Sequence, residues 1–75
     1  MTKELYNMLF TSAEADKAKA MLSLDLLGSK SVGIGDHSTG DFYKNAEEAL
    51  RMLIDAEERI TILKKEFYPK TQING

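Results

Sequence analysis

From Phe42 to Phe67 the chain places Phe42, Ala46, Ala49, Leu53, Ala56, Ile60, Leu63 and Phe67 at alternating spacings of four and three. That is the period of a heptad seam, sustained here for almost four repeats. A strand turns its side chains over at every residue and does not produce this spacing. The segment is therefore expected to be one long helix over about residues 41–67, about 40 Å in length at 1.5 Å per residue. Its apolar stripe has to be covered by something.

The flanks of the stripe agree with that reading. Glu47–Arg51 and Asp55–Arg59 are four apart, with the acid on the N-terminal side, the favourable order for helix ion pairs. Lys64 and Lys65 stand in the last turns, where the helix dipole favours cations. Ser38 and Thr39 are both N-cap candidates, and Ser38 with Asp41 has capping-box spacing. Pro69 stops the helix near Phe67. Three seam positions are alanine, which lets a second helix approach closely. Leu50, Met52, Ile54 and Ile62 widen the stripe. A stripe this broad predicts two neighbours, one within the chain and one from another chain.

The first half is less regular. Thr11 or Ser12 opens a helix over about residues 12–27, with Thr11 and Glu14 at capping-box spacing. Gly28 follows the last leucine, where a C-terminal cap belongs. Ahead of it, about residues 3–10 form a short helical segment capped by Thr2. A bend at Thr11-Ser12 is the expected arrangement, and a single helix from Lys3 to Leu27 is the alternative. A loop over 28–40 and a tail over 68–75 complete a single domain. The predicted fold is all-α: an antiparallel helical hairpin with a short N-terminal helical segment, oligomerising through the heptad seam.

Size supports the oligomer. A chain of 75 residues with no cysteine has neither a disulfide nor a thiolate metal site to reinforce a small core. Association with another copy is the common remaining solution. The charge balance, ten basic against twelve acidic residues for a net −2, argues against duplex nucleic acid as a partner. No stretch approaches the roughly twenty apolar residues of a membrane span. The start, Met1-Thr2-Lys3-Glu4-Leu5, lacks the basic leader of an exported protein. A cytoplasmic location is expected.

The stretch from Ser29 to Gly40 is long for a link between two helices. Gly33, Gly35 and Gly40 give it conformational freedom, and Ser29, Ser31, Ser38 and Thr39 give it hydroxyls. Lys30 and Lys44 add positive charge, and the loop runs into the N-terminus of the long helix. Lys30, Gly33, Gly35, His37, Ser38, Thr39, Tyr43 and Lys44 together form a candidate anion-binding corner. If a nucleotide binds there, Tyr43 is placed to stack on its base and Lys44 to meet its phosphate. The alternative is a turn that only shapes and caps the helix. The loop lacks the Gly-Lys-Ser/Thr run of a P-loop, and its glycines do not complete a dinucleotide fingerprint. His37 with Asp36 and Asp41 matches no standard metal spacing, and Ser38 beside His37 is poor geometry for a proton relay. No metal, cofactor or catalytic residue is predicted, and the chain is expected not to be an enzyme.

The string Val32-Gly33-Ile34-Gly35-Asp36-His37, followed by a helix ending Ala56-Glu57-Glu58-Arg59-Ile60-Thr61-Ile62-Leu63, resembles small uncharacterised proteins of tailed phages. Those proteins carry a Gly-Ile-Gly-Asp/Glu-His loop before a similar helix. The resemblance spans roughly Val32 to Phe67 and implies a phage origin but no activity. In architecture alone the chain is also similar to phage helical-hairpin sponges that sequester cyclic oligonucleotide signals of bacterial immunity. Two functions are therefore expected. One is a non-catalytic oligomer that captures a cyclic nucleotide or other small anion. The other is an adaptor that docks a host or virion protein through its helices.

Overall fold

A computed structural model describes residues 1–29 and 39–68, which contain two helices. Helix α1 spans Lys3–Ser29 and α2 spans Thr39–Phe67. They lie against each other in antiparallel fashion, as the contacts of Tyr6 with Tyr68 at one end and of Asp16 with Arg59 in the middle require. The predicted hairpin and its long second helix are both present.

Helix α1 starts at its expected cap. The Leu5 N–H donates to Thr2 Oγ1 at 3.1 Å, and the Tyr6 N–H donates to the Thr2 carbonyl at 2.9 Å. The helix then continues through Thr11 and Ser12 without the expected bend. Both residues are exposed, while Ala13 immediately after them is fully buried. The two hydroxyl residues cost only a few tenths of a kcal/mol each in helix propensity. Restarting the helix would need a new nucleus, which is costlier. Gly28, expected just beyond the helix, lies inside the final turn, and the Ser29 hydroxyl donates to the Leu26 carbonyl at 3.1 Å.

The seam of α2 is used within the chain. Ala49, Ala56, Ile60 and Leu63 are buried, and Phe42, Ala46 and Leu53 are half-buried. Phe67, at the last position, is 43% exposed and stands outside the packed part. Facing these residues is a second seam on α1: Tyr6, Phe10, Ala13, Lys17, Ala20, Leu24 and Leu27, again spaced four and three. Tyr6, Ala13 and Ala20 are buried, and the others are half-buried. Two buried alanines one heptad apart on each helix, Ala13 and Ala20 on α1 and Ala49 and Ala56 on α2, make the shared layer thin. The Cα envelope is 15 Å across in both transverse directions. No large side chain among the described residues is completely enclosed.

The open end of the hairpin, opposite the loop, is closed by aromatic rings. Tyr6 stacks on Phe10 with centroids 5.8 Å apart, and Tyr68 meets Tyr6 edge-on at 6.0 Å. The Lys64 ammonium lies 5.8 Å from the Phe10 ring centroid. The helix stops at Phe67, with Pro69 two residues on, as the sequence predicts.

Candidate interaction surface

One polar network crosses the hairpin. Arg59 Nη2 donates to Asp16 Oδ2 at 2.7 Å, and Arg59 Nε donates to Asp55 Oδ2 at 3.0 Å. The fork of the guanidinium serves one acid on each helix. Asp16 is also 4.0 Å from Lys19, one turn along α1. The hydrogen bond to Asp16, more than any other influence, raises the Arg59 pKa above its ordinary value. On the opposite edge of the seam Lys17 Nζ sits 3.7 Å from Glu57. Lys17 holds an otherwise apolar seam position, and its half-exposed stem lets the ammonium reach that partner.

Seven-residue spacing fixes what accompanies Arg59 and Asp16. Leu9 and Ser23 share the row of Asp16 on α1, and Asn45 and Met52 share the row of Arg59 on α2. These two rows border the seam on one side and define a face of the hairpin. Two open grooves lie on that face. The smaller, about 200 Å³, is lined by Leu9, Arg59, Ile62 and Leu63. The larger, about 480 Å³, lies nearer the loop and is lined by Ser23, Leu26, Leu27, Asn45, Glu48, Ala49 and Met52. The Asp16–Arg59 bridge stands between them.

The outer side of α1 carries a second heptad row. Leu5, Met8, Ser12, Ala15, Lys19, Leu22 and Leu26 follow at spacings of three and four, and every one of them is exposed. Its large apolar members sit at the two ends, with Ser12, Ala15 and Lys19 between them. Leu50, Met52, Ile54 and Ile62, expected to widen the α2 stripe, are 42–49% exposed. By contrast Lys44, Arg51, Glu58 and Lys65 on the back of α2 are all charged and exposed. Met52 and Ile62 lie on the side of the grooves, whereas Leu50 and Ile54 lie on the Glu57 side, so apolar exposure borders both edges of the α2 seam and runs around the outside of α1.

The candidate anion corner falls mostly elsewhere. Lys30, Gly33, Gly35, His37 and Ser38 lie outside the described residues, as do the Ser38 cap and the tail beyond Tyr68. Thr39 is the first residue of α2. Tyr43 is 60% exposed, with its ring edge-on to Phe42 at 5.6 Å, and Lys44 is exposed beside it. Neither lines the larger groove, whose nearest charged group is the Glu48 carboxylate. Among the described residues no three His, Cys, Asp or Glu side chains are placed to hold a metal, and no helix is long and apolar enough to cross a membrane.

Sequence reasoning missed both rows of α1 and the bridge between the helices. The spacing from Tyr6 to Leu27 was readable, but Lys17 interrupts it and the row from Leu5 to Leu26 overlies it. Two superposed stripes on one helix look like no stripe. No family model, curated protein or solved structure matches the chain.

Proposed function

We propose that this chain is a non-catalytic association module, an adaptor whose working surface is the apolar outside of the hairpin. The observation that carries this reading is the exposed heptad row of α1. A helix covered on one side by α2 needs only one apolar stripe, yet α1 carries two. Three leucines and a methionine at the ends of an exposed row mark a surface that another protein covers. The resemblance to tailed-phage proteins makes the cytoplasm of an infected bacterium the natural setting.

In-cell photocrosslinking tests the reading. A photoreactive phenylalanine analogue at the position of Leu26, where the outer row meets the larger groove, is expected to yield a discrete protein adduct. The same analogue at Glu58, on the charged back of α2, is expected to yield none. Equal labelling at both positions, or none at Leu26, removes the support for an association surface.

A second reading is capture of a small phosphate-bearing ligand, such as a cyclic nucleotide, at the start of α2. It is favoured by the exposed pair Tyr43 and Lys44 beside the glycine-bearing loop, where an aromatic face and an ammonium suit a base and a phosphate. Ligand at a hundred times its Kd raises stability by about 2.7 kcal/mol. A panel of cyclic dinucleotides and linear nucleotides is therefore expected to include one that raises Tm, with the rise lost in Tyr43→Ala and Lys44→Ala. A flat panel retires this reading and leaves the adaptor standing.

A further inference from the structure

We propose that the covering protein is a second copy of this chain, laid face to face with the loops at the same end, so that two hairpins form a four-helix bundle. The proposal rests on the association reading above and adds the partner and its orientation.

The face is the one carrying the Asp16–Arg59 bridge. Its two grooves are apolar at both ends of the hairpin, with Leu9 and Ile62 at one end and Leu26 and Met52 at the other. Between them lie two acids, Asp16 and Asp55, and two bases, Lys19 and Arg59. Such a face suits its own image. A two-fold axis parallel to the helices sets α1 of one chain against α2 of the other, because Asp16 and Arg59 stand at the same level. Asp16 then meets the partner's Arg59, and Arg59 meets the partner's Asp16, while each apolar end meets the same apolar end. Every neighbouring pair of helices in the resulting bundle is antiparallel. With the loops at opposite ends, α1 would face α1, and Arg59 would stand over the partner's Arg59. Charge complementarity therefore selects the first arrangement.

The area is sufficient. Two helices about 40 Å long and about 10 Å in diameter present a strip on the order of 800 Å², which is the share of each partner in a standard-size interface. The need is also present, because four of the seven buried hydrophobic residues are alanine and no large side chain among the described residues is completely enclosed.

The test combines mass and distance on the full chain. Sedimentation equilibrium is expected to give twice the 8.4 kDa chain mass. Leu26→Asp, at an exposed position on the dimer face, is expected to weaken self-association by about tenfold or more while retaining helical circular dichroism. Should that variant unfold, Ile62→Asp at the other end serves the same purpose. A spin label at Ser29→Cys, in a chain with no other cysteine, is expected to report a separation of about 20 Å, two helix diameters. A separation of about 40 Å, one helix length, overturns the shared-end arrangement. A single-chain mass at submillimolar concentration overturns the dimer. A single-chain mass together with a discrete Leu26 adduct to a different protein overturns the dimer but leaves the adaptor reading intact.

Discussion

Arg59 and Asp16, forty-three residues apart in sequence, meet at 2.7 Å across the hairpin and set the register of the two helices. The same guanidinium holds Asp55 at 3.0 Å on its own helix, so one residue links an intrahelical pair to the interhelical one.

This fork predicts a pH-dependent difference between arginine and lysine at position 59. The folded-state pKa of Arg59 is raised above its ordinary value, chiefly by the bond to Asp16. Its stabilisation is thus complete below the unfolded value and is lost only as pH rises through the still higher folded one, beyond ordinary working conditions. A lysine there makes a poorer fork and titrates near an ordinary value of about 10.4. The Tm gap between wild type and Arg59→Lys is expected to be modest at pH 7 and to widen between pH 8 and pH 11. Thermal melts at matched ionic strength check it, and a constant gap would place the guanidinium outside the bridge.

Ala56 is fully buried between the helices, which leaves no room for a larger side chain. Ala56→Leu is expected to cost about 1–3 kcal/mol by overpacking. For a domain of this size that lowers Tm by roughly 4–8 °C per kcal/mol. An unchanged or higher Tm would show that the helices stand further apart than described.

The two C-terminal seam positions are expected to separate sharply. Leu63 is buried, and its truncation to alanine is expected to cost about 2–5 kcal/mol. Phe67 is 43% exposed at the helix end, and Phe67→Ala is expected to stay within about 0.5 kcal/mol. Denaturant midpoints for the two variants decide the matter, and similar costs would mean that the seam extends through Phe67.

Continuity of α1 is tested by Thr11→Pro. In the interior of one helix the substitution costs about 3 kcal/mol or more. At a bend between two helices it is tolerated, since proline suits a first helical turn. Loss of much of the helical signal, or a large fall in Tm, is expected.

The sequence disclosed α2 almost completely, because its seam is clean and its back is charged at Lys44, Arg51, Glu58 and Lys65. It disclosed the end of that helix through Pro69 and the cap of α1 through Thr2. It concealed the organisation of α1 for a physical reason. Lys17 occupies a seam position and satisfies its charge with Glu57 at the edge, and an outward row from Leu5 to Leu26 blurs the inward one. Thr11 and Ser12 suggest a boundary, but cap-forming residues do not end a helix whose next residue, Ala13, is buried against a neighbour. The Asp16–Arg59 bridge joins residues that no local pattern connects. The glycines and hydroxyls of the loop speak only to local conformation, so the candidate anion corner cannot be read from residue types alone.

Within one chain α1 covers the α2 seam, which frees the groove-bearing face for association. Isotope-filtered NMR on a mixture of labelled and unlabelled protein distinguishes this hairpin from helices exchanged between copies. Contacts of the Tyr6 ring with Tyr68, and of Phe10 with Lys64, are expected only within a chain, and contacts between chains are expected only from the groove-bearing face. Tyr6–Tyr68 or Phe10–Lys64 contacts arising between chains would mean that the helices are exchanged between copies, contrary to the hairpin described.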